Sequence, residues 1–233
     1  MPATPSLPEM LRARLGEVAD PVRAPGMQAY MKSAMPYLGV SAVPLRQVCK
    51  ALFAGLSWPD AQAWQQDVLA IWRGARFREE RHAAIELTGV KAARPFHDLS
   101  ALPLYQEMIV TGAWWDHVDP IAGHRLWAIL QREGAAMKRA MLGWSTDPDM
   151  WKRRGAILCQ LRAKEHTDLD FLYACIEPSL GSKEFFLRKA IGWALRQYAW
   201  TDPVEVRRYV TAHADRLNGL SRREALKNIG AAA

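Results

Sequence analysis

Candidate chemistry concentrates in one segment, Gly112-Ala-Trp-Trp-Asp-His-Val-Asp-Pro-Ile-Ala122. If this segment is helical, Trp115 and Asp119 are four residues apart and share a face. The repeat register set out below places Arg154 beside Asp119 in the following repeat and Trp193 about one turn along the next. A carboxylate, a guanidinium and two indoles can then converge on one patch, a fixed anion and cation beside flat faces suited to apolar or cationic ligands. Each residue also has a plainer reading. A lone aspartate is usually a helix cap or a solvated charge, and a double tryptophan at helical spacing is usually core, the reading preferred for Trp114. Asp116 is the second carboxylate candidate, although three residues from Asp119 it can point elsewhere. Pro120 leaves two alternatives, because proline inside a helix costs about 3 kcal/mol. Either Asp119 caps a helix that Pro120 begins, or the helix kinks there.

A period defines the elements that must position these side chains. Ala84-Ile85, Pro120-Ile121, Ala156-Ile157, Ala190-Ile191 and Ala225-Leu226 each pair a small residue or proline with an aliphatic anchor at steps of 34 to 36 residues, and Val48-Cys49 lies 36 residues before the first anchor. A period of this size has room for two helices and two turns, which is the pattern of an all-α solenoid of about six helical hairpins whose second helices line a concave surface. Helical spacing of apolar residues recurs in 61–72 and 185–195, and no convincing alternating strand is found. Ser57-Trp-Pro-Asp60, Ser145-Thr-Asp-Pro148 and Trp200-Thr-Asp-Pro203 combine capping side chains with prolines suited to a first helical turn. Three residues before the anchors stand Arg46, His82, Val118, Arg154, Arg188 and Arg223, and four before stand Arg81, His117, Arg153 and Arg222. A solvated face explains any single arginine, whereas a repeated cationic column suits a polyanion.

Composition agrees with a globular chain of this kind. Of 233 residues, 50% are hydrophobic and 24% charged, and 31 basic against 24 acidic residues give a net charge of +7, so an anionic partner is favoured. No uncharged apolar run reaches the roughly 18 residues of a spanning helix, and no secretion signal is visible. Cys49, Cys159 and Cys175 lie far apart, which argues for buried thiols in a reducing compartment and against disulfides. The six histidines lack ligand spacing and there is no glycine-rich phosphate loop, so neither a metal nor a nucleotide cofactor is expected. Five of the fourteen prolines fall in the first 25 residues, so residues 1–26 are expected to be a loose arm around one short helix, Glu9–Val18, ahead of a single domain from 27 to 233.

At these residues the sequence resembles the AlkD-like DNA alkylation repair glycosylases, built of HEAT-like helical repeats. The resemblance rests on Trp114-Trp-Asp-His-Val-Asp119, Trp151-Lys-Arg-Arg-Gly-Ala-Ile-Leu158, Ser182-Lys-Glu-Phe-Phe-Leu-Arg-Lys-Ala-Ile-Gly-Trp-Ala-Leu-Arg196 and the terminal Leu220-Ser-Arg-Arg-Glu-Ala-Leu226, in order from about Met27 to Gly230. It implies that Asp119 is the catalytic aspartate, Trp115 and Trp193 the lesion-facing tryptophans, Arg154 the arginine at the DNA backbone and Tyr30 an amino-terminal DNA-facing tyrosine. Arg46, Arg153, Arg188 and Arg223 of the column join them as DNA-binding candidates.

The implied reaction suits these side chains. Alkylation at N3 or N7 leaves a purine cationic, so it departs neutral and needs no general acid, while one ionised carboxylate stabilises the oxocarbenium-like sugar and orients water. The indoles offer cation–π attraction of roughly 0.5–2 kcal/mol. The family is known for holding the lesion within the duplex, without extruding the base. The expected partner is duplex DNA containing alkylated purines, bound by a monomer in the cytoplasm, at the nucleoid during repair. A catalytically silent DNA-binding relative or a protein-binding solenoid scaffold are the competing readings.

Overall fold

A computed structural model describes residues 5–229. Residues 1–4 and 230–233, which include the start of the expected arm and the end of the expected domain, lie outside the described residues. The described residues form thirteen α-helices joined by turns and short 3-10 segments, with no strand among them. They fall into two compact units, one ending at His97 and the other beginning at Asp98.

The first unit contains α1 (Leu7–Glu17), α2 (Ala24–Met31), α3 (Ala42–Phe53), α4 (Ala61–Gly74) and α5 (Arg78–Leu87). The helix expected near the amino terminus is therefore present as α1. It is docked on α3, α4 and α5, with Leu11 and Leu15 fully buried. Arg12 on α1 reaches α5, donating from Nε and Nη2 to the buried Glu80 carboxylate at 3.1 and 2.8 Å. The neighbouring Glu79, also buried, accepts the backbone N–H groups of Leu38, Gly39 and Val40 at 2.9–3.1 Å. Both carboxylates exchange water for charge-assisted hydrogen bonds, which makes their burial tolerable. Asp60 caps α4 by accepting the Ala63 N–H at 2.8 Å.

The second unit contains α6 (Leu102–Gly112), α7 (Trp115–Pro120), a π-helical segment (Ile121–Leu126), α8 (Trp127–Ser145), α9 (Met150–Leu158), α10 (Leu169–Ile176), α11 (Phe185–Tyr198), α12 (Pro203–Ala212) and α13 (Gly219–Leu226). Within α8, Gly134 has φ 43° and ψ −110°, a conformation that breaks the helix and that glycine adopts without a Cβ penalty. Residues 115–133 are thus one helical rod, and 135–145 begin the next hairpin. The hairpins are α6 with that rod, the second half of α8 with α9, α10 with α11, and α12 with α13. Their second helices form a row: α7 packs on α9, α9 on α11 and α11 on α13. With α1–α3 and α4–α5 in the first unit, the described residues make up the six hairpins expected from the period.

The period reports on burial. Cys49, Ile85, Ile121, Ile157 and Ile191 are all in the core, whereas the last anchor, Leu226, is part-exposed and its neighbour Ala225 is the buried residue of the pair. Asp149 caps α9 through the N–H groups of Trp151 and Lys152, and Asp202 caps α12 through Glu205, with Pro203 at the first helical position. Contact between α11 and α13 is close enough to require glycine: a Cβ on Gly192 would lie 2.4 Å from Glu224 Cβ and 2.8 Å from the Ser221 carbonyl oxygen. Lys189 and Arg196 of α11 both pair with Glu224 across this contact. No helix among the described residues is long and apolar enough to cross a membrane.

Candidate active site

Helix α7 begins abruptly. Ala113 ends α6 in the left-handed region (φ 35°), Trp114 is extended, and Trp115 is the first helical residue. Asp119 follows one turn later. Between them, His117 and Val118 point into the core, and Trp115 and Asp119 are left part-exposed. Pro120 is the sixth residue of this helix, with helical angles (φ −66°, ψ −33°), so Asp119 is not its cap. Proline cannot donate to the carbonyl four residues back, and the backbone widens directly after it into the π segment Ile121–Leu126. The helix therefore passes through Pro120, and the alternative in which Pro120 starts it is set aside.

One repeat further on, α9 carries Arg154. Its Nε donates to Asp119 Oδ1 at 2.7 Å and its Nη2 to Oδ2 at 2.8 Å, a bidentate pair, and its Nη1 donates to the Phe186 carbonyl oxygen on α11 at 2.6 Å. The two side chains are 5% and 11% exposed. Burial pushes the Asp119 carboxyl above the ordinary aspartate value, the Arg154 guanidinium draws it back down, and the nearby Asp116 adds to the upward push. An aromatic wall flanks the pair: Trp114 and Trp151 lie 5.1 and 4.9 Å from the Phe186 ring, ring centre to ring centre, and the Phe186 ring lies 6.0 Å from the Arg154 guanidinium carbon. Of these rings Phe186 is the one that faces the guanidinium of the pair. The two bonds occupy one acceptor position on each Asp119 oxygen, and a carboxylate has about four.

The other expected residues occupy different settings. Trp193 lies part-exposed on α11, the helix that also supplies the Phe186 carbonyl. Trp114, read as core, is part-buried in the aromatic wall. The cationic column is not uniform. Arg154 is buried in its ion pair, Arg188 donates from Nε to the Ser182 carbonyl at 2.8 Å, and Arg223 is exposed. Arg153 donates from Nη2 to Ser179 Oγ at 2.9 Å and to the Pro178 carbonyl at 3.2 Å. In the first unit Arg46 is exposed, and Tyr30 on α2 is 77% exposed. The Phe186 carbonyl escaped sequence reading because a main-chain acceptor has no residue signature. Trp151 and Phe186 lie in motifs already singled out, but their position against the ion pair follows only from the stacking of α7, α9 and α11.

The described residues form an all-helical repeat fold that holds a largely buried carboxylate in an arginine fork, and comparison with known proteins gives this class a family. Residues 11–229 match the model of the DNA alkylation repair enzyme family, and the chain belongs to that family. A solved structure described as a predicted DNA alkylation repair enzyme from Enterococcus faecalis is similar at 28% identity and a TM-score of 0.81, over 92% of this chain and 98% of that one. Comparison with curated proteins returns no match.

Proposed function

We propose that this member of a DNA alkylation repair family is a DNA glycosylase that hydrolyses the N-glycosidic bond of cationic N3- or N7-alkylated purines in duplex DNA. The observation that carries the reading is the Asp119–Arg154 pair. An aspartate taken largely out of water, fixed through both oxygens and still reachable at its remaining lone pairs, is a preorganised anion for positive charge that develops during a reaction.

In this mechanism the bond from C1′ to the purine nitrogen breaks with its electron pair moving to the base, which leaves uncharged. The sugar becomes oxocarbenium-like, and Asp119 faces that charge. Water adds to C1′, and Asp119 orients it while solvent accepts its proton. Arg154 keeps the carboxylate ionised and correctly turned, and a guanidinium N–H not used on Asp119 or Phe186 is available to a phosphate. Trp115 and Trp193 offer indole faces to the cationic base and to deoxyribose C–H groups. Because these side chains sit part-exposed on the helix surface, the lesion can be met without extruding the base. Arg46, Arg153, Arg188, Arg223 and Tyr30 complete the proposed contacts with the DNA backbone, made by a monomer.

The test is release of free N7-methylguanine and N3-methyladenine from alkylated duplex DNA by the purified chain. Free base with an abasic product supports the reading. Tight binding to the duplex without release would make the chain a silent DNA-binding relative instead.

A further inference from the structure

Helix α11 turns two kinds of side chain to its open side. Leu187, Ala190, Ile191, Ala194 and Leu195 are buried, while Phe185, Lys189, Trp193 and Arg196 follow one another at steps of three or four and are exposed or part-exposed, so rings and cations alternate along one face. One carboxylate meets this face. Glu224, from α13, takes the Lys189 ammonium on Oε1 at 2.8 Å and the Arg196 guanidinium on Oε2. Lys189 stands four residues before Trp193 and Arg196 three after it, so a single anion engages the cation on either side of that indole. Its position is fixed by the helix crossing: a Cβ on Gly192 would lie 2.4 Å from Glu224 Cβ, and Ser221 Oγ, one turn earlier on α13, donates to the Arg188 carbonyl at 2.8 Å. Lys189, and with it Arg196, holds the Glu224 carboxyl below the ordinary glutamate value, so it stays charged at neutral pH. Both cations are still within reach of solvent, their side chains 37% and 21% exposed.

We propose that Glu224 is a specificity-determining residue that holds Lys189 and Arg196 back from the phosphates of undamaged duplex. The inference rests on the reading of this chain as a DNA-acting protein with Trp193 toward the lesion. A lysine and an arginine left free on this face would each add a sequence-independent contact with phosphate, and that attraction is as strong for intact DNA as for damaged DNA. Engaged by Glu224, they add little. What stays open between them is an indole, whose attraction grows when the base it meets carries a positive charge. The engagement therefore weakens binding to the abundant competitor more than binding to the lesion, and discrimination is a difference between those two affinities.

The test is binding of undamaged duplex by the full chain over a series of salt concentrations, beside thermal denaturation of each variant. Glu224→Gln keeps the size of the side chain packed at Gly192 and removes its charge. It is expected to bind about tenfold tighter, with a salt slope steeper by about one. Lys189→Ala is expected to leave affinity and slope close to wild type, because Glu224 already engages that charge, and combining it with Glu224→Gln should remove much of the gain. A folded Glu224→Gln that binds no tighter would mean that Glu224 only joins α13 to α11, and it would overturn the proposal. So would a Lys189→Ala variant whose salt slope falls by about one, since Lys189 would then already hold a phosphate. A wild-type chain that binds no duplex at any salt concentration sinks the DNA-acting reading itself, whereas a chain that binds duplex and gains nothing in Glu224→Gln sinks this inference alone.

Discussion

Arg154 grips both oxygens of Asp119, at 2.7 and 2.8 Å, across 35 residues of sequence. That separation is one repeat, so the pair exists because α7 and α9 are stacked neighbours, and the third contact of the same guanidinium, on the Phe186 carbonyl, ties in the repeat after it. Three successive second helices thus fix one carboxylate. Breaking any of their contacts should register at Asp119 before it registers in the fold.

The pH dependence of excision follows from this pair. In the proposed mechanism Asp119 acts ionised, and its folded environment raises its pKa above the ordinary 3.8, chiefly through burial. Single-turnover excision should therefore fall as pH drops, with an inflection above 3.8. Arg154 is the influence that lowers this pKa, so Arg154→Lys, which loses the bidentate fork, should move the inflection to higher pH. An inflection that does not move would dissociate Arg154 from the carboxylate's ionisation.

Arg154→Ala separates positioning from phosphate contact. Leaving the buried carboxylate without its partner should lower stability by up to about 3 kcal/mol, read in thermal denaturation. If a spare guanidinium N–H also holds a phosphate, the salt slope of duplex binding should fall by about one. A destabilised variant with an unchanged slope would confine Arg154 to holding Asp119.

Trp115→Ala and Trp193→Ala should slow excision about 2- to 30-fold, the range of a lost cation–π contact, and change affinity for undamaged duplex little, since neither indole carries charge. Poor binding of undamaged DNA by both variants, with normal excision at saturation, would reverse the roles assigned to the tryptophans and to Arg154.

Gly192→Ala tests the packing of the last two second helices. Its Cβ would have to displace Glu224 Cβ and the Ser221 backbone from within 3 Å, so stability should drop by about 1–3 kcal/mol, a shift of several degrees in Tm. A variant as stable as wild type would mean that α13 moves away from α11 at little cost.

Much of this architecture is legible in the sequence because it depends on features that residue types encode. The anchors from Cys49 to Ile191 are buried at the expected steps and only Leu226 is part-exposed, and Asp202 caps α12 with Pro203 at its first position as expected, whereas Pro59 and Pro148 precede the Asp60 and Asp149 caps. What escaped reading depends on tertiary contact. Pro120 is compatible in sequence with either a helix start or a kink, and only the π widening after it shows how the proline is carried inside a helix. Glu79 and Glu80 are buried because backbone N–H groups and Arg12 satisfy them, partners 40 to 68 residues away that no local pattern reveals. One register position likewise gives a buried Arg154 and an exposed Arg223, because the helices flanking each differ.

The most direct test of the central claim is excision of N7-methylguanine from alkylated duplex DNA by Asp119→Asn beside wild type, with binding and thermal denaturation measured on the same preparations. Removing one preorganised charge should slow base release about 10²- to 10³-fold. Duplex affinity should stay within a few-fold of wild type, in a variant still folded at the assay temperature. Near-normal release by folded Asp119→Asn would contradict the account, leaving Asp119 a structural partner of Arg154 and making Asp116 the next carboxylate to test.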